Sequence, residues 1–86
     1  MPGVTRKDTD TAGGTLIGAS GNVFVNGKGA VRIGDAVAGH GPAIHAGPVM
    51  AVGSGTVFVN GIAVCRAGDA ATCGHTATGS GDVFAG

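Results

Sequence analysis

Four side chains in this sequence are of the types that bind transition metals in proteins: His40, His45, Cys73 and His75. One thiolate and three imidazoles form a ligand set that suits the tetrahedral coordination of zinc. The spacings His-x₄-His and Cys-x-His match no standard zinc-finger pattern, so the residues alone leave a second interpretation open. In that interpretation the histidines face water and the thiol is a small buried group.

The size of the chain favours a stabilising metal. It has 86 residues, of which 19 are glycine, and it contains no Trp or Tyr. A domain this short buries only about 60% of the surface that its unfolded chain exposes, and such domains usually need a disulfide, a metal or a partner. We therefore predict one structural zinc ion per chain, bound by His40, His45, Cys73 and His75.

A repeated segment must position the loops that carry these residues. Residues 21–35 read GNVFVNGKGAVRIGD and residues 55–69 read GTVFVNGIAVCRAGD, an ungapped match at a separation of 34 residues. Residues 81–86 repeat only the first strand, and residues 4–8 weakly resemble residues 31–35. These matches predict three units, the third divided between the two ends of the chain.

The spacing of arginines and Ser–Gly pairs supports three units. Arginines at positions 6, 32 and 66 precede Ser–Gly pairs at 20, 54 and 80, with gaps of 14, 22 and 14 residues. Each unit is predicted to be a short β-hairpin, because Asn-Gly at 26–27 and 60–61 favours a type I′ turn. The predicted fold class is all-β: three hairpins with pseudo-threefold symmetry forming a small cone, with long Gly-rich loops and little or no helix.

Several repeat positions have structural explanations. Phe24, Phe58 and Phe84 are equivalent, and we expect them in the core as the largest buried areas. Asp35 and Asp69 are expected to close turns by accepting hydrogen bonds from nearby backbone N–H groups and to pair with the neighbouring arginines.

The second cysteine is predicted to have a structural role. Cys65 aligns with Val31 on a strand, so we expect a small buried hydrophobe. A Cys65–Cys73 disulfide is the alternative, but cytosolic cysteines are usually thiols or metal ligands.

Composition and motifs argue against several functions. The formal net charge is zero, without the basic clusters or stacking aromatics of a nucleic-acid-binding protein. The N-terminus lacks the apolar run of a signal peptide. There is no Glu, and no P-loop, dinucleotide fingerprint or nucleophile elbow. We therefore predict that the protein is not an enzyme and binds no nucleic acid.

Several motifs together resemble those of the PAAR-repeat family, the spike-tip proteins of type VI secretion systems and contractile phage tails. They are Ser-Gly-x-Val-Phe-Val-Asn-Gly, Arg-x-Gly-Asp at 32–35 and 66–69, the His-bearing middle loop, and the late Gly-Asp-x₃-Cys-Gly. The resemblance implies a cone whose broad base lies on a trimeric β-helix and whose point holds zinc.

The resemblance also implies a ligand set, since family members commonly bind zinc through three His and one Cys. His40 and His45 match the middle-loop histidines and Cys73 matches the late cysteine. The first-loop histidine of the family has no counterpart in residues 10–14. We expect His75 to supply the fourth ligand instead.

The function implied is a structural, zinc-stabilised tip that caps and sharpens a membrane-piercing spike. The expected partner is a homotrimeric β-helical spike, either VgrG-like or a phage tail spike, with one monomeric tip per trimer and transient contact with the target membrane. Residues 1–86 would form one spike-tip domain with no effector extension. It would be cytoplasmic before assembly, then located on the injection machine or virion and delivered outward on contraction. The alternatives are a small zinc-dependent hydrolase and a β-repeat ligand-binding module.

Overall fold

Short antiparallel pairings form nearly all the regular structure. The computed structural model describes residues 2–86, and only the backbone at Ile44, so Met1 of the predicted domain lies outside the described residues. The strand pairs are β1 (Thr11–Ala12) with β2 (Gly14–Thr15), β3 (Phe24–Val25) with β4 (Lys28–Gly29), and β5 (Phe58–Val59) with β6 (Ile62–Ala63). The helical content of the described part is one 3₁₀ turn, Ala43–His45. The all-β prediction is confirmed, and no helix among residues 2–86 is long and apolar enough to cross a bilayer.

Two hairpins use the turn that the sequence predicts. Asn26 and Gly27 have φ values of 52° and 78°, and Asn60 and Gly61 have values of 55° and 75°. Positive φ at both central residues defines the type I′ turn, whose twist matches that of the flanking strands.

The third unit is divided between the ends of the chain. Gly3 and Phe84 form an antiparallel bridge. It corresponds to the pairings of Phe24 with Gly29 in β3–β4 and of Phe58 with Ala63 in β5–β6. The chain therefore closes on itself, as the repeat predicts.

A ring of three backbone hydrogen bonds joins the units around the pseudo-threefold axis. Thr5 N donates to Cys65 O at 3.0 Å, Cys65 N donates to Val31 O at 2.8 Å, and Val31 N donates to Thr5 O at 3.0 Å. All three residues are fully buried. The ring makes Thr5, Val31 and Cys65 equivalent, which confirms the alignment of Cys65 with Val31.

The ring shifts the predicted match between residues 4–8 and residues 31–35 by one residue. Because Thr5 corresponds to Val31, residue 8 corresponds to Gly34, and Asp8 has the positive φ of 63° that suits a glycine. The carboxylate that pairs with Arg6 is instead Asp10, at 2.8 Å, after a turn one residue longer than in the other units. The sequence match missed it because the extra residue shifts the aspartate.

The other two aspartates have the predicted role. Asp35 accepts from the backbone N–H of Arg32 at 2.8 Å, and Asp69 accepts in the same way from Arg66 at 2.8 Å. Both carboxylates also pair with the guanidinium of the same arginine, at 3.1 and 2.9 Å.

The phenylalanines are not in the core, so that prediction was wrong. Phe24, Phe58 and Phe84 are 61%, 58% and 50% exposed. Successive side chains of a strand point to opposite faces, and the next residue of each unit is the buried one. The hairpin part of the core is therefore built from six small residues: Val4, Val25, Ala30, Val59, Val64 and Ala85. A second cluster, which includes Leu16, Met50 and Cys73, lies under the loops.

Candidate metal centre

Two connecting loops bring the four predicted side chains together. His40 precedes the 3₁₀ turn of the middle loop and His45 is the last residue of that turn, and Cys73 and His75 lie in the tight turn after Asp69. One ligand atom from each lies within 4.8 Å of the other three. We call these four residues the histidine–cysteine cluster, and the cluster can hold a metal ion.

Three of the six distances among the ligand atoms are close to those that a tetrahedral ion requires. His40 Nε2 lies 2.8 Å from His75 Nδ1 and 3.0 Å from His45 Nδ1. Cys73 Sγ lies 3.7 Å from His75 Nδ1. Metal bonds of about 2.0–2.1 Å to nitrogen and 2.3 Å to sulfur set separations of about 3.3 Å between nitrogens and 3.6 Å from nitrogen to sulfur. These two nitrogen pairs need to separate by only a few tenths of an ångström, and the remaining ligand atoms, within 4.8 Å of one another, must come closer together.

The middle loop fixes the orientation of its first histidine. His40 N donates to His45 O at 2.8 Å, which closes the loop around the 3₁₀ turn. His40 Nδ1 lies 3.1 Å from Ala38 O. Since a carbonyl only accepts, Nδ1 carries the proton there, and Nε2 is left to present its lone pair to the cluster.

The second loop is held by backbone bonds on either side of the cysteine. Ala71 N donates to His75 O at 2.9 Å and Gly74 N donates to Ala71 O at 3.0 Å. Cys73 is buried and His75 is exposed. The cluster thus extends from a thiol in the loop core to an imidazole at the surface.

A third element borders the cluster, and the sequence did not predict it. β1 and β2 form a tight hairpin within residues that the repeat assigns to a connecting loop, with Gly13 as the single connecting residue. A Cβ atom at Gly13 would lie 2.1 Å from His75 Nδ1 and 2.5 Å from His40 Nε2. The adjacent glycines at 13 and 14 were the one available signal, since paired glycines often mark a close backbone approach.

Hydrogen bonds to Thr78 attach this hairpin to the rest of the domain. Thr78 N donates to Thr11 O at 2.9 Å, and Thr78 Oγ1 donates to Asp10 Oδ1 at 2.9 Å. Burial raises the pKa of Asp10, but hydrogen bonds from Arg6 and Thr78 outweigh burial and hold that pKa below its ordinary value of 3.8. No motif in the sequence identifies Thr78 as part of this support.

Cys65 is not part of the cluster. Both cysteines are free thiols, so the alternative disulfide does not form. The Cys65 thiol donates to Val52 O at 3.4 Å, and burial raises its pKa to about 12. The prediction of a small buried side chain is confirmed.

A second candidate functional surface lies on the hairpins. Each unit exposes one valine and one phenylalanine at equivalent positions, and we call these six residues the hairpin ring: Val23, Phe24, Val57, Phe58, Val83 and Phe84. The three valines are each 37% exposed. The ring repeats one apolar feature three times around the pseudo-threefold axis.

Polar side chains link neighbouring units beside this ring. Ser20 Oγ donates to Asn60 Oδ1 at 2.6 Å, and Ser80 Oγ donates to Asn26 Oδ1 at 2.9 Å. Ser54 Oγ donates to the carbonyl of Gly86, which occupies the equivalent place in the third unit. Each serine also accepts backbone N–H groups of its own turn. The Ser–Gly pairs of the repeat are therefore junctions between units.

The sequence was compared with models of known protein families. A family model described as the PAAR motif matches residues 6–78. The chain belongs to the PAAR motif family. In this PAAR chain the matched range includes the whole histidine–cysteine cluster, the hairpins β1–β2, β3–β4 and β5–β6, and all three arginines. A comparison with curated proteins gives no match.

Proposed function

We propose that this PAAR chain is a structural, zinc-stabilised tip that caps a trimeric β-helical spike of a contractile injection machine. The observation that carries the proposal is the hairpin ring, in which three equivalent hairpins each expose a phenylalanine and a valine. One chain thereby offers three similar apolar surfaces to three identical partner chains.

The chemistry of the hairpin ring is that of a docking surface. Phenylalanines that are half exposed or more gain nothing from the core, whereas contiguous apolar patches commonly mark interaction sites. The blunt end of a β-helix has unpaired backbone N–H and C=O groups, which a β-rich cap protects. A VgrG-like spike or a phage tail spike has the trimeric symmetry that this surface fits, with one monomeric tip per trimer.

The three surfaces are similar but not identical. The middle loop is longer, because 22 residues separate Arg32 from Ser54 and 14 separate arginine from serine in the other units. At one unit junction the backbone carbonyl of Gly86 also accepts the hydrogen bonds that the side chains of Asn26 and Asn60 accept at the other two. Contacts with three spike chains would be nearly equivalent at the hairpins and unequal at the loops.

The metal in this proposal is one zinc ion held by His40, His45, Cys73 and His75. A thiolate with three imidazoles is a donor set that zinc prefers, and three of the pairwise distances are within a few tenths of an ångström of those in a tetrahedral site. When bound, the ion supplies folding free energy by linking two loops that are far apart in the sequence. The four side chains hold and orient those loops at the end that would meet the target membrane.

A closed site favours this structural role over a hydrolase. Catalytic zinc sites keep one position for water or substrate, and four protein ligands leave none. No concave pocket forms among the described residues, which also disfavours a small-ligand-binding module. The exposed phenylalanines are the one feature that such a module would share, and their threefold arrangement fits a trimeric partner better.

Mechanically, the chain would act as a rigid point. It would be made in the cytoplasm, assemble on the spike, and be delivered outward on contraction, touching the target membrane only in passage. Unit junctions and the metal would keep the loops from separating under load.

The test is binding of hairpin-ring variants to the cognate trimeric spike, measured by size-exclusion chromatography. Replacing Phe24, Phe58 and Phe84 together by serine should abolish co-elution while leaving the thermal midpoint almost unchanged. The matched control replaces Ile17 and Val52, which are 49% and 45% exposed outside the ring, and should co-elute normally. Retained binding by the triple variant would contradict the proposed surface.

A further inference from the structure

We propose that Gly13 is a positioning residue of the metal site, because any side chain at this position would collide with the ring nitrogens of His40 and His75. This inference rests on the zinc site proposed above. It concerns a residue that provides no ligand atom, on an element that the cluster itself does not include.

The argument comes from two distances. A Cβ atom at Gly13 would lie 2.1 Å from His75 Nδ1 and 2.5 Å from His40 Nε2. Both are below 3.0 Å, a separation below which real Cβ atoms are essentially never found. A methyl group on residue 13 would therefore push these two ring nitrogens away from the positions in which they can share one ion.

The backbone of Gly13 also closes one face of the site. Its Cα lies one bond, about 1.5 Å, from that Cβ position, so the peptide runs directly beside His40 and His75. The hairpin cannot easily withdraw, since Thr11 is bonded to Thr78. A Cβ atom at the neighbouring Gly14 would lie 2.1 Å from Ala38 O, so β2 is packed equally closely against the middle loop. A water molecule approaching the ion between the two histidines would meet this backbone.

The backbone conformation at position 13 gives a simpler explanation of why a glycine is found there. Its φ of 84° is one that residues with side chains rarely adopt, and a one-residue hairpin connection needs it. Gly34 separates the two explanations, because it has a φ of 89° and nothing within 4 Å of its Cβ position. Alanine there imposes comparable backbone strain without touching the cluster.

The experiment compares Gly13→Ala, Gly34→Ala and the unmodified chain for zinc stoichiometry and for affinity in chelator competition. Thermal midpoints of the metal-free proteins are measured alongside. We expect one zinc per chain in the unmodified protein and in Gly34→Ala. In Gly13→Ala we expect affinity to fall at least 100-fold, with a metal-free midpoint close to that of Gly34→Ala.

The outcomes separate the two proposals. If the unmodified chain binds no metal, the zinc site itself is wrong and the role of Gly13 falls with it. If Gly13→Ala binds zinc as tightly as Gly34→Ala, or if both lose it equally, the zinc site stands and the role of Gly13 is overturned.

A second measurement uses the unmodified chain, so it does not depend on the folding of a variant. The protein is loaded with Co²⁺ and its visible absorption spectrum is recorded with and without excess azide or imidazole. Closure by Gly13 predicts a four-coordinate spectrum that neither ligand changes. A spectrum that shifts on adding either one would show an open position and overturn the closure.

Discussion

His40 Nε2 and His75 Nδ1 lie 2.8 Å apart, although 35 residues separate them in the sequence. Two ring nitrogens at this distance share a proton, and a metal ion that replaces the proton must move them to about 3.3 Å. Each nitrogen belongs to a loop that is closed by its own backbone hydrogen bonds. The two loops are therefore arranged for an ion before one binds, and the ion links them directly.

The two cysteines should respond differently to the same substitution. Cys73→Ser removes the thiolate of the cluster, so we expect loss of zinc and a fall in thermal midpoint of about 10 °C or more, since structural zinc contributes folding free energy. Cys65→Ser is the matched control and should keep one zinc per chain. Elemental analysis and calorimetry measure both quantities, and equal zinc content in the two variants would contradict the assignment.

The thiols should also differ in reactivity. Burial raises the pKa of Cys65 to about 12, so at pH 8 it is almost entirely the unreactive thiol. We expect no alkylation of Cys65 by iodoacetamide in the folded protein. Cys73 should be modified only after chelator removes its metal. Mass spectrometry of tryptic peptides distinguishes the sites, and rapid labelling of Cys65 before unfolding would be the contrary result.

Acid should destabilise the domain in part through Asp10. Because its folded pKa lies below the ordinary value of 3.8, the ionised form adds stability that is complete above that value and is lost as the pH falls through the folded pKa. Asp10→Asn should remove this dependence and cost about 1–3 kcal/mol at pH 7, through weakened bonds to Arg6 and Thr78.

The matched control is Asp8→Asn, two residues earlier and exposed. Asparagine tolerates the left-handed conformation of that turn, so we expect little change at any pH. Urea unfolding between pH 2.5 and 7 measures both variants. If the stability of Asp8→Asn no longer fell at acid pH while that of Asp10→Asn still did, the role given to Asp10 would belong to Asp8.

Truncating the valine of a hairpin should destabilise the domain more than truncating the neighbouring phenylalanine, although phenylalanine is the larger side chain. Phe58 is more than half exposed and Val59 is buried. We expect Val59→Ala to cost about 1–3 kcal/mol of unfolding free energy and Phe58→Ala to cost less than about 0.5 kcal/mol. Denaturant unfolding compares them directly, and a larger loss for Phe58→Ala would mean that the phenylalanine packs in the core after all.

The sequence predicted those features that depend on local rules. Asn26–Gly27 and Asn60–Gly61 specify their turns through positive φ, and the repeat gave the threefold arrangement and the meeting of the four metal-type side chains. The half-hairpins at the two ends indicated a divided third unit, but the alignment of residues 4–8 was one residue out of register, so the pairing of Gly3 with Phe84 was not predicted.

The features that the sequence missed depend on tertiary packing. Phe58 and Val59 both suit a strand, and hydrophobicity alone does not reveal which one faces the core. Asp10 was missed because one inserted residue moves it out of the repeat, and Gly13 because its closeness to the cluster exists only once three separate segments have folded together.

The most direct measurement of the central claim is the mass of the complex between this chain and its cognate spike, determined by light scattering after chromatography. The account predicts a single species with the mass of three spike chains and one tip, because one chain offers three similar hairpin surfaces to three identical partners. A complex with three tips per trimer, or no complex at all, would contradict it.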